Sequence, residues 1–571
     1  MPAPFFGASS LLAIVATASV YFAAAATLLV LASRLLPGWA AVAVVLVTAR
    51  AVFPNLPPFE MLQAIVFVWC VEAVLAERLR VPAEWFIAGA GILAAVVLMG
   101  KINVGVFASG MLLVAAVALG RPWRGAAIFA GVAAAGCLVI WVVTGQPLGA
   151  LGSFIADSIE IVRGYSEAMV VDTHPTLRWT YAAFAIAVAM LAWLGWQVSR
   201  DRPRSERLAL LALGAILAFA EWKTAFTRNY TFYAMATALI VLFPIASRLP
   251  TREGGPRTPG GREIAAFAFA TIFVALLATA RIEPIDLVDV RGSVRGTAAK
   301  AAAILPWRQA DAVERTRAEL RASLALPDEV LAAVTGQTVH IDQWQTIVAF
   351  AYPEMRWSPL PVFQSYSAYT TALDELNAAR LRSAAAPTRI LRERFDDLDG
   401  TPYAVDRRFV WFESPAAMLE TFCRYDELAA NDRWQVVGRT ARSCGAPEVI
   451  STASARAGES VAVPAEPRPG RFVIVKITGF PDRILDRLRT LAFRADEWYV
   501  ELPDRGRFRL VPGTADDGLL LAVPAGLSTH PRFAFGPAIT ALTVSAGRYG
   551  EASNALLTYE FRSVPLQGGG S

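Results

Sequence analysis

The chain has 571 residues, 55% of them hydrophobic and 18% charged, with a mean hydropathy of +0.44. That balance excludes an average soluble enzyme and an intrinsically disordered chain. A net charge of only +5, with no zinc-finger spacing and no basic-aromatic module, excludes nucleic acid as the partner.

Charges are sparse as far as Arg281 and dense beyond it, so the chain divides into a membrane half and a water-soluble half. Ten apolar segments follow in order, at 8–32, 38–53, 61–76, 84–100, 104–120, 126–145, 180–198, 208–222, 230–246 and 264–280. A hydrocarbon core of about 30 Å takes about 20 apolar residues per helix. The segments therefore read as about ten transmembrane helices, the shorter ones tilted or interrupted, in a membrane domain spanning 1–283.

Short loops rich in Lys and Arg stay in the cytoplasm. The loops after the odd segments carry Arg34; Arg78 and Arg80; Arg121 and Arg124; Arg200, Arg202, Arg204 and Arg207; and Arg248, Arg252, Arg257 and Arg262. The even loops are poorer. Residues 54–60 have none, the next loop has Lys101, and 146–179 sets Asp157, Glu160, Glu167 and Asp172 against Arg163 and Arg178. The even loops, the N-terminus and everything after Arg281 are expected outside. The first segment has no basic flank and no cleavage site, so it is not a signal peptide. It is either a reverse-anchored helix or preceded, in a longer chain, by another helix and its outer loop.

Beyond the membrane half, 305–445 alternates strand-like runs (338–341, 361–364, 388–391, 409–412, 434–437) with helix-like ones (343–351, 371–383, 415–425). This predicts a small α/β layer, placed at 284–465. A polar, Pro-bearing stretch at 451–470 then leads into β-rich runs at 471–478, 497–502, 507–511, 518–523, 539–545 and 556–564. These predict a β-sandwich or jelly roll over 466–567. The fold class is thus a polytopic α-helical membrane protein with an extracytoplasmic α/β plus β-sandwich C-terminal region; the end, 568–571, reads as a linker scar.

Cys70 and Cys137 lie in apolar spans as small hydrophobes. Cys423 and Cys444 share the soluble half, where an oxidising exterior allows them to pair or leaves two free thiols. His174, His340 and His530 are too scattered to nominate a metal site.

Chemistry is sought where polar residues meet the outer face. Glu221-Trp222-Lys223-Thr224-Ala225-Phe226-Thr227-Arg228-Asn229 joins two spans there; Lys223 and Arg228 could hold a phosphate, with Glu221 and Asn229 in support, or merely anchor helix ends. Gly100-Lys101-Ile102-Asn103-Val104-Gly105 interrupts two spans, its glycines serving a ligand or a helix hairpin. The loop 146–179 contains an amphipathic pattern at 151–162 that suits the interface and ends Asp172-Thr173-His174. Its acids Asp157, Glu160, Glu167 and Asp172 are candidates for a general base; Glu60 and Glu72 are alternatives beside the third span.

This layout resembles the GT-C superfamily of polyprenyl-phosphate-sugar-dependent glycosyltransferases, such as the bacterial envelope arabinofuranosyl- and mannosyltransferases. The resemblance rests on ten or eleven spans, on outer loops carrying Lys101, Lys223 and Arg228, on the segment Lys101 to Gly105, and on a large exterior β-rich region. It implies a lipid-phosphate donor, held by Lys101, Lys223 and Arg228 with Asn103 and His174 nearby, an envelope glycan or lipid acceptor, and inverting displacement aided by an acid such as Asp157 or Asp172. It implies an inner-membrane location. No cofactor is required, although Mg or Mn could assist the leaving phosphate. One departure matters: that superfamily carries its acidic motif in the first outer loop, and this chain starts where that loop should have ended. The catalytic acid is then expected upstream or on a partner subunit, or the chain acts differently. Trp498 and Tyr499 could stack on sugar rings or pack in a core. The competing class is a transporter or polysaccharide-assembly protein, although no inverted repeat is evident.

Overall fold

The structure, a computed structural model, describes residues 4–76, 81–120, 122–170, 177–228, 230–249, 261–281, 306–394, 403–523, 529–547 and 554–568. The chain forms two compact units, Met1–Gly152 with Thr173–Arg308, and Ser153–Asp172 with Gln309–Ser571.

The first unit is helical: α1 (Pro4–Ala32), α2 (Gly38–Val52), α3 (Pro58–Leu75), α4 (Ala83–Gly100), α5 (Ile102–Leu119), α6 (Pro122–Val143), α8 (Leu177–Ser199), α9 (Arg204–Thr227), α10 (Thr231–Ala246) and α11 (Gly261–Ala280). Helix α7 (Leu151–Met169) intervenes and belongs to the second unit. Seven of these helices are long and apolar enough to cross a membrane, and Ala16–Ala32, α2 and α10 are shorter apolar helices. The ten expected apolar segments all lie on helices, seven of them of membrane-crossing length among the described residues, and these make the protein membrane-embedded. Proline sets several starts, preceding α2, α4 and α9 and opening α3, where its missing N–H is no loss.

Helices in lipid gain little from apolar burial and associate by close approach of small residues. A Cβ on Gly105 of α5 would stand 2.5 Å from Leu98 Cα of α4, and one on Gly125 of α6 would stand 2.4 Å from the Ala116 carbonyl oxygen. Helix α3 is buried along nearly its whole length, as is α10, so both stand at the centre.

In the second unit a mixed sheet runs β2-β1-β3-β5-β4: β1 (Thr338–Ile341) is parallel to β2 (Arg356–Trp357) and β3 (Arg389–Glu393), while β5 (Trp434–Arg439) runs antiparallel to β3 and β4 (Tyr425–Ala430). One face packs Val339, Ile341, Leu391 and Trp434 against α13 (Asp328–Val334) and the end of α12 (Pro306–Leu324). The other packs Ile390 and Val437 against α15 (Thr371–Arg382) and α16 (Pro415–Arg424). Between β1 and β2 lies α14 (Ile347–Ala351).

The β-rich part has two antiparallel sheets. One runs β11-β10-β13-β8, from Gly506–Leu510, Trp498–Leu502, Ala541–Ala546 and Ser460–Ala462. The other runs β12-β9-β14-β6, from Leu519–Leu520, Arg471–Thr478, Leu556–Gln567 and Ser443–Cys444, with β7 (Glu448–Arg456) also on β14. Their inner faces share one core that includes Phe472, Val500, Leu542 and Tyr559, as in a sandwich. One short helix, α17 (Ile484–Ala492), lies between β9 and β10.

Three expectations need correcting. The polar stretch at 451–470 is no linker: β7 and β8 pair with β14 and β13, so the sandwich begins at β6 and the sheet before it ends at Arg439. Only Ala455 of β7 is buried, and its Ser, Thr and Ala side chains give little apolar signal. The run 409–412 is a single tight turn that plugs Phe409 and Phe412 into the sandwich core, and 361–364 is not a strand. Short apolar runs do not reveal which kind of buried backbone they build.

Cys423 and Cys444 are bonded, their Cα atoms 5.3 Å apart, tying α16 to β6; Cys70 and Cys137 are free thiols.

Candidate functional site

Glu60 lies in the first turn of α3, and Gln63 follows one turn later on the same face. Glu60 is buried, its Oε1 accepting from Lys101 Nζ, and its Oε2 has no protein partner. Lys101 stands at the break between α4 and α5, in extended backbone. Gln63 Nε2 in turn donates to Glu221 Oε1 of α9 at 3.3 Å, and Thr237 Oγ1 of α10 donates to the same oxygen at 3.2 Å. Close by in the fold, the Tyr21 hydroxyl of α1 donates to the Leu56 carbonyl at 3.0 Å. Ionisable groups at membrane depth are costly and persist where they are paired or used; here two carboxylates each have partners, and Glu60 and Gln63 bring the two sets within one turn of α3.

Glu221 also lines a cavity of about 440 Å³ bounded by α3, α8, α9 and α10. Apart from Glu221, Thr237 and Ser199 the lining is apolar, and Trp196 and Leu211 at its edge are exposed on the surface of the bundle. At the opposite helix ends, Glu72 accepts from Arg34 Nη1 at 2.9 Å and Arg248 Nη2 at 3.0 Å. These and Arg202 line a polar cavity of about 650 Å³. Three arginines from separate loops thus converge on one end of the bundle, and Lys101 stands at the other.

The remaining sequence candidates are dispersed. Lys223 follows Glu221 by two residues, so it points to another side of α9 and is half-buried; Arg228 is the residue that ends α9. Asn103 is exposed on α5. The glycines flanking Lys101 serve the chain's own packing: a Cβ on Gly100 would meet the Phe59 ring at 2.6 Å, and Gly105 lies against Leu98. That segment is a helix hairpin, as the close approach demands. Asp157 is half-buried on α7, in the second unit. Asp172, His174 and Asn229 lie outside the described residues. Among the described residues no group of three or more His, Cys, Asp or Glu side chains could hold a metal. Trp498 belongs to the sandwich core, while Tyr499 lies under Arg507, with its hydroxyl on Glu497.

The second unit holds a buried polar cluster where β1 and β3 end. Asp342 accepts from the Gln343 amide at 2.8 Å, Ser365 Oγ at 2.8 Å and Arg392 Nε at 2.9 Å. Burial raises its carboxyl, but Arg392 and the other donors outweigh that and hold it below the ordinary range. His340 lies fully buried beside it, both ring nitrogens unpartnered, and burial pushes it down to about 4. At 4.0 Å from Asp342 it is therefore a neutral ring rather than half of an ion pair at neutral pH. Glu413 is driven up to about 8 by burial, against the pull of Arg408 3.6 Å away. That separation is beyond hydrogen-bond range. Gln343 at φ 64° and Ser414 at φ 47° flank the cluster in left-handed backbone, where non-glycine residues are strained.

Gln63, Thr237 and this second cluster carried no local signal in the sequence beyond a polar residue in an apolar run. Compared with protein-family models, curated proteins and solved structures, the chain matches none. Fold and site define a multi-helix membrane protein with a polar network at one end of its bundle and a β-rich C-terminal unit.

Proposed function

We propose that this protein is a membrane glycosyltransferase of the GT-C kind, moving a sugar from a polyprenyl-phosphate donor to an envelope glycan or lipid acceptor. One observation carries the reading: an apolar cavity with an edge on the lipid-facing surface ends at Glu221, whose partner Gln63 stands one turn along α3 from Glu60 of the Glu60–Lys101 pair. The cavity takes the isoprenoid tail, and Lys101 faces the phosphate. The acceptor hydroxyl oxygen attacks the anomeric carbon, the bond from that carbon to the phosphate oxygen breaks, and polyprenyl phosphate leaves. Glu60 receives the hydroxyl proton. Glu60, not Asp157 or Asp172, is the acid this reading selects, and Lys223 and Arg228 are left to phosphate approach.

Two further observations support the setting. The end bearing Arg34, Arg202 and Arg248 is the cytoplasmic one by the positive-inside rule, so the Glu60 end and the segment after α11 face outward, in a bacterial inner membrane. The Cys423–Cys444 bond suits an oxidising exterior. Along α3 the polar residues Gln63 and Glu72 are separated by the buried apolar run from Ala64 to Val68 and by Cys70 and Val71, an arrangement that disfavours a polar path for transport.

The test is sugar transfer in membranes with a panel of polyprenyl-phosphate sugars, comparing the unmodified chain with Glu60→Gln and Lys101→Met. Transfer that both variants abolish supports the reading. Undiminished transfer in Glu60→Gln removes Glu60 as the base, and no transfer from any donor overturns the reading.

A further inference from the structure

Helix α17 is built the wrong way round for a helix in water. Asp486 and Thr490 turn toward the protein, while Ile484, Leu485, Leu488 and Leu491 are 76%, 77%, 54% and 61% exposed. Ile484, Leu488 and Leu491 fall at i, i+4 and i+7, one stripe of the helix, and Arg487 and Arg489 flank it, each paired with an aspartate. Helix α7 repeats the inversion. Ser158, Gly164 and Ala168 are buried, while Ile155, Ile159 and Val162, also at i, i+4 and i+7, are exposed.

The two helices are neighbours. Glu167 near the end of α7 lines the same cavity, about 350 Å³, as Asp482, Asp486 and Arg489 beside and within α17. Chain connection decides what covers them. Residues 144–150 join α7 to the apolar helix α6 and 170–176 join it to α8; connectors of that length reach at most about 25 Å. Wherever α6 and α8 cross the bilayer, α7 stays beside it, and α17 is held to α7 in one compact unit.

We propose that α7 and α17 form a membrane-docking face of the C-terminal unit, with both apolar stripes seated in the headgroup and acyl boundary and Arg163, Arg487 and Arg489 at the anionic headgroups. Such helices lie in the interface plane, their apolar faces about 5–10 Å deep. The face requires only that the protein is membrane-embedded and is independent of the chemistry proposed above. It holds the unit against the bilayer surface.

The test uses the full chain in anionic lipid nanodiscs, with Cys70→Ala and Cys137→Ala and a nitroxide at Leu488→Cys, Ile159→Cys or, as the water-exposed control, Glu501→Cys. Each labelled chain must keep the Cys423–Cys444 bond and an unchanged thermal transition. Docking gives labels at 488 and 159 several-fold less accessible to a water-soluble nickel complex than the label at 501, and more accessible to oxygen. Nickel accessibility at 488 equal to that at 501 overturns the proposal. Exclusion of both reagents with spin–spin broadening also overturns it, in favour of a second copy of the chain. The label at 159 reads the same face should the substitution at 488 disturb the short helix.

Discussion

Arg408 Nη2 donates to the backbone carbonyl of Ala168 at 2.7 Å across a sequence separation of 240 residues, and both residues are buried. The last carbonyls of a helix have no partner within it. Here guanidinium groups supply them, because Arg509 Nη2 makes the same bond to the Glu167 carbonyl, also at 2.7 Å. Arg509 is pulled down to about 10, first by burial and then by Arg408 nearby, and it is still charged at neutral pH. Helix α7 therefore belongs to the C-terminal unit although membrane helices precede and follow it.

Arg408→Ala and Arg509→Ala are each expected to lower the stability of that unit by about 2–3 kcal/mol, the scale of a buried hydrogen bond to a charged donor. Lysine should not restore it, since one ammonium cannot reach both the Ala168 and Tyr366 carbonyls that Arg408 serves. Limited proteolysis near Val162, read against thermal unfolding, checks this.

Under the proposed reaction, Glu60→Gln should lower kcat by about 10²–10⁴-fold, the range of general-base catalysis, with KM for the donor little changed. Lys101→Met should weaken donor use as well. The double variant should lose less than the two single losses multiplied, because the groups act as one pair. Steady-state transfer kinetics decide it.

Stability of the C-terminal unit should fall on both sides of about pH 5–6.5. Glu413, raised to about 8, binds a proton in the folded state that it gives up unfolded, so its contribution is full below its unfolded value and is lost as pH rises toward 8. His340, lowered to about 4, stays neutral when folded, so its contribution is full above about pH 6.5 and is lost as pH falls toward 4. Glu413→Gln should flatten the alkaline limb and His340→Asn the acid limb, measured as thermal midpoints against pH.

Reducing the chain, or Cys423→Ser with Cys444→Ser, should cost about 2–4 kcal/mol through the loop that the bond closes. Denaturant unfolding with and without reductant measures it.

Gly105→Ala should destabilise the α4–α5 hairpin by about 1–3 kcal/mol, the usual cost of overpacking, because the added carbon would meet backbone at 2.5 Å. A control at Gly131, where a Cβ meets nothing within 4 Å, should be nearly neutral. Thermal unfolding in detergent compares the two.

What the sequence determined by itself is whatever short-range pattern encodes. Long apolar runs must close their own hydrogen bonds in lipid, so the helices of the first unit were legible to within a few residues. The β-rich runs that became β9 and β14 were equally plain, whereas Cys423 and Cys444 stood open between a bond and two free thiols until the structure paired them. Tertiary structure alone decided the rest, because it joins residues whose separation carries no periodic signal: Glu60 with Lys101 across 41 positions, and Gln63 with Glu221 across 158. The same cause hid the two distant arginines that tie the end of α7 to the C-terminal unit, and made β7 look like a linker until β14 paired with it. Local hydropathy chooses the phase a residue prefers, whereas which polar groups meet inside that phase depends on helix packing and strand pairing.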